Sequence, residues 1–358
     1  MKRIKNALRA YSHAGEMRRR RPPELAFSDA SRARPTVYYL TPDDNTPRGG
    51  VRVMYRHVDL LNATGINAKV LHTKPGFRCT WFANTSTVAS AREVRLTPAD
   101  LLVVPDYYAP GLDHLPAGAR VVMFNQAGYH TFDHIPFAGT APGAPYTRIK
   151  NLVAMVTVSE DSAALLRYTF PQLDIKLARS VIDPRRFHPG EHPGGRRIAY
   201  MPRRRHAERE QLLHVMRSRG ILDGWELVPI DGRTEDETAE LMRSCAIFLS
   251  FSEREGFGLP PAEAMASGCY VVGYTGNGGR DYFDPVYCSP VPECDLLAYA
   301  MAVEEAIRRY ESDPESLAKA GRLASERILG QYHEAGLKAD LTTLYGQLLT
   351  EWPAERQL

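Results

Sequence analysis

The chain of 358 residues is long enough for two domains of ordinary size, and its 44% apolar and 24% charged residues suit a globular protein. No apolar run approaches the roughly 20 residues that span a bilayer. No signal-type hydrophobic stretch follows the basic N-terminus. The five cysteines form no CxxC pair, which argues against a zinc knuckle or a disulfide framework. We therefore expect a cytoplasmic protein with reduced, mostly structural thiols.

Positive charge is concentrated at the N-terminus. Residues 1–35 carry ten Lys/Arg against three Asp/Glu, a formal charge of +7, which leaves −4 for the remainder. Residues 1–34, the basic arm, include the run Arg18–Arg21 and are interpreted as a solvated tail. The alternative is peripheral contact with an anionic membrane at the inner membrane face or with a polyanionic acceptor. No nucleic-acid-binding module follows the arm, so no nucleic-acid partner is expected.

From Pro35 onward, short apolar runs alternate with amphipathic stretches, which predicts a parallel sheet covered by helices on both faces. A helix over Arg52–Ala63 follows a loop that contains Gly49 and Gly50. The predicted strands of this first domain, residues 35–190, are Thr36–Thr41, Ala68–His72, Leu101–Val104, Arg120–Phe124 and Val153–Ser159.

A second series with the same architecture occupies residues 191–330. Asp183, Pro184 and Pro189 predict an interdomain linker, with the boundary near residue 190. The predicted strands are Ile198–Met201, Trp225–Ile230, Ala246–Phe251 and Tyr270–Gly273. Amphipathic helices follow, and residues 331–358 are expected to form the last one. The fold class is therefore α/β, with two Rossmann-like, doubly wound domains.

The most informative segment is Ser252–Gly268, which reads SEREGFGLPPAEAMASG directly after a predicted strand. Its loop should lie at the carboxyl end of a parallel sheet, where ligands bind in such folds. Pro260 and Pro261 suit the first positions of a helix and Gly268 its C-terminal cap. The N–H groups at that helix start favour an anionic diphosphate. Glu255, in the loop, and Glu263, in the first helical turn, could accept hydrogen bonds from sugar or ribose hydroxyls.

This segment resembles the signature of glycosyltransferase family 4 and its relatives of the GT-B fold, in which two glutamates are separated by seven residues around a Gly-Phe-Gly-Leu-Pro core. The resemblance extends from about Thr36 to Tyr332. It implies a retaining, metal-independent transferase that uses a nucleotide sugar as co-substrate and no other cofactor. It also implies two domains facing each other across a cleft, with the acceptor on the first, the donor on the second and a last helix that braces back to the first.

The resemblance also implies roles for individual residues. Glu263 would hold the ribose, Glu255 the donor sugar, and Gly49 and Gly50 the diphosphate. The remaining donor contacts of the motif would come from Gly256, Phe257, Gly258 and Leu259.

Three arginines follow the first strand of the second domain. The usual Gly-Arg and later Lys of the family are replaced here by Arg203, Arg204 and Arg205, with Arg209 near the position of the Lys. Guanidinium groups can stabilise the charge that develops on a leaving diphosphate. Arg204 is our first choice for this role. A solvated basic turn is the alternative.

Two stretches depart from the family pattern. The expected histidine after a central strand is absent, so His130 is a candidate for that role, with Asn125 and Gln126 as alternative polar contacts. After the glycines at 276–279 the family often has a glutamate, and Asp281 could replace it. An ordinary glycine-rich loop is the alternative there. Asp231 is expected to border the nucleotide base.

We therefore expect a glycosyltransferase that transfers a hexosyl or deoxyhexosyl group to a glycan, a lipid-linked acceptor or a natural product, for example in polysaccharide biosynthesis. The proposed catalytic residues are Glu255, Arg204 and His130. The alternatives are a GT-B epimerase and a nucleotide-sugar-binding subunit without turnover.

Overall fold

The computed structural model describes residues 15–30, 34–191 and 194–350. The chain divides into two compact units. The first unit holds the chain up to Val158, Ala163–Ala178 and the residues from Lys338 onward. The second holds Ser159–Ser162 and Arg179–Leu337.

The first unit is built around a parallel sheet of seven strands in the order β4-β3-β2-β6-β7-β8-β9. A separate pair, β1 and β5, is also parallel. The runs of Val and Leu in the central strands are buried on both faces, as expected for a sheet covered by helices. The strands are β1 (Ala26–Phe27), β2 (Val37–Leu40), β3 (Ala68–His72), β4 (Val88–Ser90), β5 (Arg95–Leu96), β6 (Leu101–Pro105), β7 (Arg120–Phe124), β8 (Leu152–Thr157) and β9 (Ile175–Leu177).

The second unit has a parallel sheet of five strands in the order β11-β10-β12-β13-β14. Its core contains Ile198, Ile247, Val272 and Tyr299. The strands are β10 (Gly195–Tyr200), β11 (Glu226–Pro229), β12 (Cys245–Glu255), β13 (Tyr270–Asn277) and β14 (Ser289–Val291).

The α-helices that follow the first strands connect the parallel strands and cover the sheets. They are α1 (Gly49–Ala63), α2 (Glu160–Thr169), α3 (His206–Ser218), α4 (Glu235–Arg243), α5 (Leu259–Ala266), α6 (Leu296–Ser312), α7 (Pro314–Gln331) and α8 (Glu334–Thr350). The α/β class and the doubly wound parallel sheets expected from the sequence are confirmed. The strands β1, β4, β5, β9 and β14, each of two or three residues, were missed because their apolar runs are too short to be read from the sequence.

The boundary between the units lies earlier than the expected residue 190. The second unit begins again at Arg179 because the residues predicted to form the linker pack against this unit. The Ile182 N–H donates to the Tyr332 carbonyl at 2.8 Å, and Arg186 pairs with Glu235 on α4 at 2.8 Å. These contacts make residues 179–190 part of the second unit.

The last helix, α8, begins in the second unit, and its residues from Lys338 belong to the first. In the first unit, the Tyr39 hydroxyl of β2 donates to the Tyr345 hydroxyl of α8 at 2.8 Å, and the Arg120 guanidinium donates to the Leu348 carbonyl. Buried polar bonds therefore fix α8 to the first sheet.

The described part of the basic arm is ordered on the first unit, which differs from the solvated tail expected from its charge. Residues 15–19 are helical, and β1 pairs with β5. The Arg20 guanidinium lies 4.8 Å from the centre of the Tyr107 ring, and the Phe27 side chain packs against the first core. These contacts with Tyr107 and with the first core explain why the described part of the basic arm is ordered. Residues 1–14 and 31–33 lie outside the described ranges.

In the part of the chain that the structure describes, no helix has the length and apolar character that crossing a membrane requires.

Candidate functional site

The strand order of the second sheet reverses between the adjacent parallel strands β10 and β12. The chain leaves β10 for β11 on one side and leaves β12 for β13 on the other, so the loops that follow these two strands diverge at their carboxyl ends. Such a switch point opens a crevice in which α/β proteins bind ligands. The basic turn at residues 201–205 follows β10, and the glycine loop at residues 256–258 follows β12.

Arg204 and Glu255 meet at this switch point. Their side chains form an ion pair of 3.3 Å, with about half of the arginine side chain exposed and the carboxylate more enclosed. Glu255 is the last residue of β12 and lies opposite Asn277 of β13. The sheet therefore holds Glu255, whereas the sequence predicted that it lies in the loop. A guanidinium and a carboxylate thus stand together at the ligand-binding edge.

Helix α5 begins immediately after the glycine loop. Gly258 is its N-cap with φ +85°, and Pro260 and Pro261 occupy its first turn, as predicted. Glu263 is its fifth residue, so it lies in the second turn and not in the first, and it is only 7% exposed. The carboxylate is therefore embedded beneath the loop, where its position is fixed.

The glycine loop is supported by buried aromatic side chains. The Tyr282 hydroxyl donates to the Gly258 carbonyl at 2.6 Å, and the Phe257 ring packs against Tyr282 and Tyr332. The Phe257 ring thus packs in the core beneath the loop, and its expected role as a donor contact stays a prediction. Leu259 is the first residue of α5 and is half-buried.

The three consecutive arginines contact three different parts of the second sheet. Arg203 is exposed and pairs with Asp231, beyond edge strand β11, at 3.2 Å. Arg204 pairs with Glu255 at the end of β12. Arg205 is the enclosed one, with only 9% of its side chain exposed. Asp231 is therefore beside the basic turn, but at the edge of the sheet and away from the switch point.

Arg205 acts as a structural centre for the surrounding loops. It donates to the Ser252 carbonyl at 3.1 Å, pairs with Glu208 at 3.1 Å and with Glu293, and lies 4.5 Å from the centre of the Tyr274 ring. Glu293 also accepts the Gly276 N–H at 3.1 Å. Glu293 thereby links the basic turn to the glycine-rich loop at residues 276–279. Sequence reasoning had not distinguished Arg205 from its neighbours.

Arg209, on α3, is buried and supports the basic turn from below. Its guanidinium donates to the Pro202 carbonyl and pairs with Glu210 at 2.9 Å. Its Nε atom is buried and has no hydrogen-bond partner among the described residues. The residue therefore lies directly under the turn whose conformation it fixes.

Asp281 does not present its carboxylate to the switch point, which corrects its expected role as a substitute for the family glutamate. Both oxygens accept backbone N–H groups at the start of α2, from Glu160 at 2.7 Å and Asp161 at 3.0 Å. The carboxylate is an N-terminal cap. Ahead of it, Gly278 lies so close to the Gly256 carbonyl that an added Cβ would meet that oxygen at 2.2 Å.

In the first unit, Gly49 and Gly50 form the first turn of α1 and not the loop that was expected. The Gln126 amide donates to the Gly50 carbonyl at 3.3 Å, and an added Cβ at Gly50 would meet the Gln126 side chain. N–H groups of a first helical turn have no partner within the helix, so this turn can still receive an anion.

His130 lies in a short helical turn after β7 and is partly exposed. Its Nδ1 atom donates to the Asp133 carboxylate at 2.6 Å, because a carboxylate only accepts. Asn125 is fully buried and donates to Thr131 and Tyr146, so it is a structural residue and not a contact open to ligand.

Comparison with known proteins gives a family match for part of the second unit. Residues 207–327 match the family model described as "Glycosyl transferases group 1". The matched residues contain most of α3 and α7, all of α4 to α6 and the Glu255–Glu263 segment.

A curated relative and several solved structures are similar to larger parts of the chain. An "Alpha-1,6-glucosyltransferase" of Actinobacillus pleuropneumoniae serotype 7 (strain AP76) is 27% identical over 239 residues, which are 64% of this chain and 69% of the relative. Sucrose-phosphate synthase from Thermosynechococcus elongatus aligns with a TM-score of 0.62 at 15% identity, over 88% of this chain and 100% of that one. Anabaena HepE, solved with UDP and glucose, aligns with a TM-score of 0.59 at 12% identity, over 88% and 99%. These alignments, which cover 88% of the chain, show that the fold is GT-B.

Sequence reasoning found the Glu255–Glu263 segment, but it missed Tyr282 and did not distinguish Arg205 from Arg203 and Arg204. The spacing of the two glutamates is visible along the chain, whereas Tyr282 reaches Gly258 from a distant part of it. No local pattern distinguishes such a residue from an ordinary core tyrosine.

Proposed function

We propose that this protein is a retaining, metal-independent glycosyltransferase that moves a glucosyl group from a nucleoside-diphosphate sugar to a hydroxyl of a glycan or lipid-linked acceptor. The observation that carries the proposal is the Arg204–Glu255 pair of 3.3 Å at the switch point of the second sheet, in which Glu255 belongs to the residues that match the group 1 family model. The glucosyl group is suggested by the α-1,6-glucosyltransferase relative. The match to transferases does not favour a binding-only subunit or an epimerase.

In this reaction the bond between the anomeric carbon and the diphosphate oxygen breaks, and the acceptor oxygen forms the new bond to that carbon. The proton of the acceptor hydroxyl leaves with the diphosphate. Negative charge therefore develops on the leaving group, and a guanidinium such as Arg204 can stabilise it with paired N–H donors. Glu255, placed beside it, would accept hydrogen bonds from the donor sugar, and Glu263 from the ribose.

The first experiment is thermal unfolding with UDP-, GDP-, dTDP- and ADP-glucose. A ligand at 100 times its dissociation constant stabilises the folded state by about 2.7 kcal/mol and raises Tm accordingly. We expect one nucleotide sugar to raise Tm and to be hydrolysed slowly, with no loss of either effect in EDTA. No Tm rise with any of the four at millimolar concentration would refute the proposal.

Glu263→Gln should remove most of that Tm rise, since the amide replaces a fixed hydrogen-bond acceptor. The exposed Glu326→Gln on α7 is the matched control and should respond to the nucleotide sugar as the wild type does. The anomeric configuration of a glycoside product, determined by NMR, would test retention of the α-configuration directly.

We also propose peripheral contact with an anionic membrane through the basic arm, on the cytoplasmic side. Arg18, Arg19 and Arg21 are exposed on the ordered part of the arm, which supports a fixed basic surface. Each arginine can add about 1 kcal/mol of attraction near anionic lipid. Changing all three to glutamine should abolish co-sedimentation with phosphatidylglycerol vesicles, whereas changing the exposed Arg217, Arg219 and Arg308 should not. Equal binding by both triple variants would contradict this proposal.

A further inference from the structure

A cavity of about 100 Å³ lies in the second unit, at the amino end of its sheet. Gly194, just before β10, Cys245, the first residue of β12, and Gly268, just before β13, all line it. The glycine loop at residues 256–258 lies at the other end of the same sheet. A water molecule needs roughly 10–15 Å³ and a drug-sized ligand about 300–1,000 Å³, so the cavity suits a small molecule and not a nucleotide sugar.

The backbone segments around the cavity are in direct contact with one another. An added Cβ at Gly194 would clash with the Cys245 backbone, and one at Gly321 of α7 would clash with the Gly268 carbonyl oxygen. The Tyr310 hydroxyl of α6 donates to the Gly194 carbonyl at 3.1 Å. Close backbone contacts of this kind hold the walls in place, so the cavity is a fixed feature of the second unit.

Ser267 lines this cavity with a hydroxyl that lacks a partner. The residue is the C-cap of α5 and is only 3% exposed, and its Oγ atom has no hydrogen-bond partner among the described residues. A buried hydroxyl is normally hydrogen-bonded, and an unpaired one destabilises the fold. Ser325 shows the normal case nearby, since its buried hydroxyl donates to the Ala266 carbonyl at 2.7 Å. A ligand in the cavity can supply the partner that Ser267 lacks.

Arg243, the last residue of α4, brings a positive charge to the cavity. Its Nη1 atom donates to the Arg186 carbonyl at 2.5 Å, and no carboxylate of the described residues lies within 4 Å of the guanidinium. A guanidinium has five N–H donors, so this one bond leaves donors over. The charge of Arg243 is therefore not neutralised by an ion pair within the described ranges.

Arg322 of α7 is the second guanidinium that lines the cavity. It pairs with Glu315, but the two side chains are 48% and 65% exposed, and such surface pairs are weak. Glu191 is the one carboxylate among the lining residues, and burial raises the pKa of the Cys245 thiol to about 11, so the thiol is neutral. The charges that line the cavity thus favour an anion.

We propose that this cavity binds the phosphate group of a small molecule, with Arg243 and Arg322 pairing with its oxygens and Ser267 donating a hydrogen bond to it. Guanidinium groups bind phosphate through paired N–H donors. The ligand is inorganic phosphate or a small phosphate ester, whose carbon atoms would contact Ala246 and Leu317 of the same cavity. The inference goes beyond the proposed function, because this site lies at the opposite end of the sheet from the switch point and needs no transferase activity.

Ser267→Ala separates ligand binding from a structural role. The change removes a buried hydroxyl that has no partner, so we expect Tm to stay the same or to rise, while the affinity for phosphate falls several-fold. Ser325→Ala is the matched control, because it removes a buried hydroxyl that is hydrogen-bonded to Ala266. This control should lower Tm and leave the affinity for phosphate unchanged.

Phosphorus NMR titrations with inorganic phosphate and with glycerol 3-phosphate measure this affinity. We expect saturable binding of at least one of them at millimolar concentration, and tenfold or greater weakening in Arg243→Gln. The tighter of the two compounds identifies the ligand as free phosphate or as an ester. Arg204→Gln at the switch point should bind both compounds as the wild type does.

Three results would overturn the proposal. The first is that the wild type binds neither compound saturably. The second is that Ser267→Ala and Arg243→Gln both bind phosphate as the wild type does. The third is that Arg204→Gln or an excess of UDP abolishes binding, since phosphate would then occupy the switch point. A wild type that binds phosphate but no nucleotide sugar would refute the proposed function and leave this site intact.

Discussion

The Tyr282 hydroxyl donates a hydrogen bond to the Gly258 carbonyl at 2.6 Å, and Gly258 is the residue that caps α5. Gly258 has φ +85°, a conformation that side chains rarely adopt, and an added Cβ would lie 3.0 Å from the same hydroxyl. One buried phenol therefore fixes the backbone between Glu255 and Glu263.

Tyr282→Phe should test this dependence. The variant leaves the Gly258 carbonyl without its buried partner, so we expect the free energy of unfolding to fall by about 1 kcal/mol. We also expect UDP affinity to fall several-fold because the loop loses its fixed position, which titration calorimetry would measure. Tyr168→Phe, at a position that is 90% exposed, is the control. Unchanged UDP affinity in a destabilised Tyr282→Phe would mean that the tyrosine serves the core alone.

Arg205→Lys should weaken the second unit although the charge is retained. Lysine cannot reproduce the guanidinium contacts with the Ser252 carbonyl, Glu208 and Glu293, or the contact of the guanidinium carbon with the Tyr274 ring. We expect a loss of about 2 kcal/mol in urea unfolding, typical of a broken enclosed network. Arg219→Lys, which affects an exposed pair with Glu304, should cost less than about 0.5 kcal/mol. Equal losses in the two variants would refute the central role of Arg205.

Two glycine-to-alanine changes should have opposite effects. At Gly278 the new Cβ would meet the Gly256 carbonyl oxygen at 2.2 Å, and that backbone cannot yield without moving the glycine loop at residues 256–258. At Gly346, inside α8, the new Cβ has open space, so alanine should raise stability by about 0.5–1 kcal/mol through its helix propensity. Thermal unfolding and UDP binding check both. Normal UDP binding by Gly278→Ala would show that the loop adapts.

His57 should make the first unit sensitive to acid. Burial lowers its pKa to about 3, and the positive charge of Arg56 acts in the same direction. Tyr39 donates to Tyr345, so it accepts the Nδ1 proton of His57, and Nε2 is buried without a partner in the described ranges. Protonation would therefore bury an unpaired charge.

The direction of the pH dependence follows from the pKa of His57 in the unfolded and in the folded chain. In the unfolded chain His57 titrates near 6.5, so its contribution to stability is complete above pH 6.5 and is lost as pH falls towards 3, by up to about 1.4 kcal/mol per pH unit. Asp106, with its pKa raised by desolvation to about 6, acts in the opposite direction over pH 6 to 4. Urea unfolding across this range should give a flatter curve for His57→Gln than for the wild type. A curve for His57→Gln as steep as that of the exposed control His214→Gln would contradict the assignment.

The sequence by itself determined the α/β class, the two sheets and the segment that carries Glu255 and Glu263. These features are local: a buried parallel strand is a short run of Val, Leu and Ile, and a glycine loop before prolines marks the start of a helix. The family match over residues 207–327 agrees with that segment. Spacing along the chain is enough for such features because neighbouring residues create them.

Only the tertiary structure decided which polar side chains are available at the site. Asp281 follows a glycine loop, as a donor contact should, yet it caps α2, some 120 residues earlier in the chain. Arg203, Arg204 and Arg205 are identical in type, but their side chains contact different residues: Asp231 after β11, Glu255 at the end of β12 and the Ser252 carbonyl within β12. Side-chain direction and desolvation depend on elements that are distant in sequence, so no local pattern could have specified them.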